Sequence, residues 1–145
     1  MKLGKACETC PYRDRPGPVP ASGDKGTAAL VLVGEAPGED EVAVNMPMVG
    51  QAGRELWKLA GAAGFYRPQV YMTNVVKCLP IGAEQGKYEP DEKAIESCVG
   101  YLKKEIQECR TNVVVPLGNV ATAVIAGKWG ILGIRGASLR RRLKS

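Results

Sequence analysis

Hydrophobic and polar positions alternate between two periods along this chain, and the switches outline its elements. The run "AALVLVG" (residues 28–34) is continuously apolar over strand length, the pattern of a strand covered on both faces. "QVYMTNVVKC" (69–78) is β-branched and aromatic and predicts a second strand ending at Cys78, and "TNVVVPLG" (111–118) predicts a third. Between them the spacing turns helical. Leu56, Leu59, Ala60 and Ala63 mark one face of a helix over 51–63, and Gly64 stands where a C-terminal glycine belongs. "PDEKAIESCVGYLKKEIQECR" (90–110) opens with proline and acids before helical periodicity, and "NVATAVIAG" (119–127) is a short helix closed by Gly127. Strands alternating with helices imply right-handed crossovers and an α/β fold with a parallel sheet between helical layers. No internal repeat or second domain interrupts residues 1–145, and the Pro/Gly-rich stretch "RPGPVPASGDKGT" (15–27) reads as a loop.

In such sheets ligands bind at the carboxyl ends of the strands. Those ends carry "GEAPG", "TNVVKC" and "PLGN", and the first is followed closely by acids, so that Glu35, Glu39, Asp40 and Glu41 gather at one strand mouth. Glycine and proline shaping a sharp turn among ordinary loop acids explain the same stretch without function. It is not a phosphate loop, because the Gly-Lys-Ser/Thr ending is absent.

Composition narrows the chemistry. Apolar residues make up 45% and charged residues 24% of 145 residues, a globular balance with no membrane-spanning run. The N-terminal "MKLGKACETC" lacks the apolar stretch of a secretory signal, so a reducing cytoplasm is expected, where five cysteines serve as ligands or buried thiols sooner than disulfides. The chain has no histidine, which removes the commonest general base, the commonest zinc ligand and every Ser-His or Cys-His dyad. Cys7 and Cys10 form a C-x-x-C, Cys78 follows, and Cys98 comes after nineteen intervening residues. Four thiolates suit a [4Fe-4S] cluster or a zinc ion, and unliganded buried thiols are the third possibility. Cys109 fits a small apolar residue on a packed helix face. The net charge is +5, and Arg135, Arg140, Arg141, Arg142 and Lys144 form an acid-free tail: a solubilising end, or a phosphate-contacting segment.

Taken in order, "CETC", "VLVGEAPGEDE", "PMVGQAGREL", "VYMTNVVKC", Cys98 in "CVGYL" and "VVVPLGNVA" resemble the family 4, iron-sulfur uracil-DNA glycosylases, across nearly the whole chain. The resemblance implies a three-layer α/β/α sandwich around a short parallel sheet. It implies a structural [4Fe-4S] cluster on Cys7, Cys10, Cys78 and Cys98, with zinc the less favoured occupant. It also implies DNA as partner. Gly34, Glu35 and Ala36 would line a uracil pocket, Glu41 would act on the hydrolytic water or the sugar cation, and Asn74 would read the Watson-Crick edge of the base. Such roles are chemically coherent, since cleaving an N-glycosidic bond builds positive charge on the sugar and an amide satisfies a donor-acceptor pair.

Met48 occupies the position where the family usually places a stacking aromatic. The family's later His-Pro motif and the fourth strand before it are expected to be missing, so the chain reads as a shortened member that excises uracil slowly if at all. A non-catalytic DNA-binding or replication/repair assembly subunit on the same fold is the alternative. The third strand would then be an exposed apolar edge, covered by a second copy or by another protein over residues 113–117.

Overall fold

A computed structural model describes residues 3–127 of the chain. Its sheet has three parallel strands, β1 (Leu30–Gly34), β2 (Val70–Asn74) and β3 (Val114–Pro116), in the order β2-β1-β3. All five residues of β1 are buried, because the central strand has helices on both sides, and this is why its apolar run is unbroken.

The helices are α1 (Glu39–Val44), α2 (Gln51–Ala62), α3 (Glu92–Glu108) and α4 (Gly118–Ala126). Val31, Val33 and Tyr71 point into a core shared with Ala94, Cys98, Leu102 and Ile106 of α3 and Val120 and Ala121 of α4. Leu30, Leu32, Val70 and Met72 face the other way, against Leu56 and Trp57 of α2 with Phe65, Val115 and Leu117. The result is the expected three-layer α/β/α sandwich. The connection from β1 to β2 runs over one face and that from β2 to β3 over the other. The chain therefore departs in opposite directions around the carboxyl end of β1, the arrangement that opens a ligand crevice there.

Three expectations need correction. The acids after β1 are not all in a loop, since Glu39, Asp40 and Glu41 form the first turn of α1, where carboxylates complement the positive helix end. Cys78 does not end the second strand; β2 stops at Asn74, and Val75 and Val76 stay fully buried beyond it, so the apolar pattern outlasts the ladder. Leu59 is 73% exposed and Ala63 is exposed too, so that of the predicted face Leu56 packs, beside Gly53 and Trp57.

At the sheet margins, the outer edge of β2 is met by the early loop through paired hydrogen bonds between Ser22 and Met72 at 2.9 and 2.7 Å. β3 forms the other margin among the described residues, with Val113 beside it exposed. No helix among the described residues is long and apolar enough to cross a membrane.

Candidate active site and thiol hollow

Gly34 and Asn74 end β1 and β2 as directly paired residues. They are packed so closely that a Cβ on Gly34 would collide with Asn74 Oδ1 and come within 2.9 Å of the Met48 methyl. Only glycine leaves room for the amide and the thioether to converge there. Asn74 is buried and Met48 half-buried. The strand ends and the loop before α2 thus bring together three of the residues singled out in the sequence.

Met48 adopts a left-handed backbone, φ 61°, which costs a non-glycine residue on the order of 1 kcal/mol and persists only when neighbours impose it. Trp57 Nε1 donates to Met48 O at 3.0 Å, and Arg67 donates to the same oxygen at 2.6 Å and to Pro47 O at 3.3 Å. The Arg67 guanidinium also lies 4.6 Å from the Trp57 ring centroid, a cation–π distance. On the far side, Gly53 lies against the Met48 carbonyl with no space for a methyl group. Neither Trp57 nor Arg67 stands out in the sequence, because each acts on a main-chain oxygen that periodicity does not reveal.

Glu41 Oε1 accepts the Gly50 N–H at 3.2 Å, at the start of α2. Its carboxylate therefore sits at the end of the loop that carries Met48, between Gly38 and Gly50. Glu35 turns elsewhere. Its Oε1 accepts the Val120 N–H at 3.3 Å, in the first turn of α4. Burial pushes the Glu35 carboxyl above the ordinary range, with the nearby Glu89 charge adding to the rise and the Val120 and Asn119 amides partly offsetting it. Ala36 packs against the core between the sheet and α3 and α4. The structure thus clusters Gly34, Met48 and Asn74, holds Glu41 against Gly38 and Gly50 at the start of α2, and directs Glu35 toward α4.

A second feature lies just beyond β2. Cys7, Cys10, Cys78 and Cys98 all line one partly open hollow, together with Tyr12 and Val76. Cys10, Cys78 and Cys98 are buried and Cys7 is half-buried. Main-chain donors reach the sulfurs: the Tyr12 N–H points to Cys10 Sγ at 3.4 Å and the Lys77 amide to Cys98. Burial raises the Cys98 thiol above its usual range, and the Lys77 amide works against that shift. The arm bearing the first two cysteines is held by hydrogen bonds from Val19 N to Lys77 O at 2.8 Å and from Leu79 N to Pro16 O at 2.9 Å. Arg15 adds 2.8 Å to Pro80 O and 2.7 Å to Glu84.

Soft sulfur donors, an apolar wall and N–H groups aimed at sulfur match what a thiolate-held iron-sulfur group requires. As it stands, though, no group of three or more cysteine or acidic side chains among the described residues is arranged to hold a metal ion. Cys109 lies apart, its thiol donating to Glu105 O at 3.3 Å. The basic tail, Arg135, Arg140, Arg141, Arg142 and Lys144, lies outside the described residues.

The model of the uracil DNA glycosylase superfamily matches residues 20–142. A type-4 uracil-DNA glycosylase of Archaeoglobus fulgidus is 36% identical over 121 residues, 83% of this chain and 58% of that protein. Those of Sulfurisphaera tokodaii and Thermotoga maritima are each 36% identical, over 92% and 91% of this chain and 61% and 68% of their own lengths. The chain thus spans about three fifths of the length of the curated relatives it matches. The chain belongs to the uracil DNA glycosylase superfamily, in the type-4 branch.

Proposed function

We propose that this chain takes up uracil flipped out of DNA and hydrolyses its N-glycosidic bond. The observation that carries the reading is the convergence of Gly34, Met48 and Asn74 at the paired ends of β1 and β2, in a chain whose relatives are type-4 uracil-DNA glycosylases. Uracil offers an N–H and a carbonyl on its Watson-Crick edge, and the Asn74 amide supplies the complementary acceptor and donor. Gly34 lets the Asn74 amide and the Met48 side chain close on the strand ends, and Met48 supplies a thioether face for the base. Glu35 and Ala36 continue the wall past Gly34. Glu41 is the group that stabilises the sugar cation or orients water, because a carboxylate is needed where positive charge develops. Excision is slow for the family, since a thioether stacks more weakly than an aromatic ring.

Cys7, Cys10, Cys78 and Cys98 would hold a [4Fe-4S] cluster. When bound, it would cross-link the N-terminal arm, the segment after β2 and α3, a structural service and not a chemical one. The basic tail would contact phosphates and make binding salt-dependent.

The test is a uracil-containing oligonucleotide assayed for abasic sites. Glu41→Gln should abolish turnover and leave oligonucleotide binding nearly unchanged. Met48→Phe should quicken excision roughly fivefold, the equivalent of about 1 kcal/mol of added stacking. A wild-type chain that binds DNA but never yields an abasic site would refute the enzymatic reading and leave a DNA-binding module.

A further inference from the structure

Lys77 keeps its ammonium on the α3 side of the sheet with only 2% of its side chain exposed. An ammonium carries three donors, and three acceptors face this one: Asn74 O at 2.5 Å, Thr73 Oγ1 at 2.6 Å and Glu105 Oε2 at 2.8 Å. The Thr73 hydroxyl donates to the same Glu105 oxygen at 2.7 Å. Neutralising the buried charge requires the carboxylate alone. The contact with Asn74 does something else.

Along β2 the main-chain groups of alternate residues face away from β1. At Met72 those outward groups pair with Ser22, at 2.9 and 2.7 Å. Two residues on, at Asn74, the outward carbonyl meets the Lys77 ammonium instead, while the next amide, Val75 N–H, reaches back to Gly34 O at 2.9 Å. The last residue of the strand is therefore held from both sides, by β1 on one and by a side chain on the other.

We propose that Lys77 is a positioning residue for Asn74, fixing the strand end so that the side-chain amide meets uracil and not cytosine. The two bases present opposite donor-acceptor order on the edge that is read, so an amide whose base shifts or swivels pairs with either. Selectivity then depends on how firmly the Asn74 backbone is held. This rests on the reading of Asn74 as the group that recognises the base.

Removing Lys77 alone strands the Glu105 carboxylate, whereas removing both charges leaves no unpaired ion. The informative pair is Glu105→Gln, which removes the charge partner but leaves an amide oxygen in its place and the lysine nitrogen still donating to Asn74 O whether or not it keeps its third proton, and the double variant Lys77→Met with Glu105→Gln, which loses that contact. In ¹⁵N-labelled protein the Asn74 side-chain NH₂ signals are identified by their loss in Asn74→Asp. They should keep their wild-type positions in Glu105→Gln and move in the double variant. Competition between uracil- and cytosine-bearing oligonucleotides should show about a tenfold fall in uracil preference for the double variant only. Unmoved Asn74 signals in the folded double variant would overturn the proposal, as would moved signals with uracil preference intact. Moved signals in a protein whose wild type shows no uracil preference would support the mechanical link and refute Asn74 as the base reader.

Discussion

Asn74 and Cys78 stand four residues apart on the same exit from β2, yet the two places they define are built by opposite means. The strand-end cluster is tight and local in construction. Asn74 Oδ1 and the Met48 methyl leave no room for a Cβ on Gly34, and a left-handed Met48 is pinned through its own carbonyl by Trp57 and Arg67. The thiol hollow draws its four sulfurs from three separate segments and gives them mainly apolar surroundings. The strand-end cluster, its Met48 main chain held by Trp57 and Arg67, keeps its shape on its own. The hollow's segments are tied to one another around its rim, Val19 to Lys77, Leu79 to Pro16 and Arg15 to Pro80, and a group bound by the four sulfurs would add order at its centre, a difference that can be tested site by site.

The largest effect is expected in the hollow. Cys98→Ala should remove iron, sulfide and visible absorption together and lower the unfolding midpoint sharply, because a group bound only by the native state stabilises it in proportion to its affinity. Cys109→Ala is the matched control, since it also truncates a buried thiol on the α3 side of the sheet. It should keep the colour and cost on the order of 1 kcal/mol, a small cavity. Metal analysis with urea unfolding of both variants decides the matter. A colourless Cys109→Ala, or a Cys98→Ala that retains full iron, would move the ligand set elsewhere, and stoichiometric zinc in a colourless wild type would replace the cluster.

What the sequence revealed follows the same divide. β1 was legible because burial on both faces leaves an unbroken apolar run. The ends of α2 and α4 were legible because Gly64 and Gly127 take positive φ, 87° and 66°, just past the last turns. α1 was not legible, since none of its six residues is buried and it has no apolar stripe to detect. Leu59 misled because the face that α2 packs is marked by Gly53, a residue with no hydrophobic signal. Gly34, Met48 and Asn74 came from family motifs, and their convergence from the register of β1 on β2. The Trp57–Arg67 clamp and the Lys77–Glu105 pair join positions 10 and 28 residues apart, and periodicity carries no information about either.

Breaking the pocket from within gives the middle effect. At Gly53 two terms oppose each other. Alanine inside a helix gains about 1 kcal/mol over glycine, but the new methyl would land on the Met48 carbonyl group, which Trp57 and Arg67 hold in place. Overpacking against a braced backbone costs about 1 to 3 kcal/mol, so the clash outweighs the propensity. Gly53→Ala should lower stability in urea by about 1 kcal/mol and weaken uracil preference roughly tenfold, while the iron content of the hollow stays at the wild-type level. A stabilised Gly53→Ala would mean that the loop yields, and the contrast between a self-braced pocket and a hollow ordered by its occupant would fail.

The smallest effect lies between the pocket and α4, at Glu35. Its carboxyl titrates above the ordinary range in the folded protein because burial disfavours the charge, whereas in the unfolded chain it titrates near 4.3. Between those two values the folded state holds a proton that the unfolded state has released. Glu35 therefore lowers stability progressively as pH rises from the unfolded value through the folded one, and the loss stays constant above it. Glu35→Gln cannot titrate, and its amide oxygen still accepts the Val120 N–H that now reaches the carboxylate at 3.3 Å. The variant's melting temperature should match wild type near pH 4 and exceed it at pH 7 by on the order of 1 °C, the half-buried site being partly screened by solvent. A variant that melts below wild type at pH 7 would show that the charge itself, held at the first turn of α4, contributes more through the Val120 and Asn119 amides than burial takes away, and that this wall of the pocket is braced by electrostatics as firmly as Met48 is by its clamp.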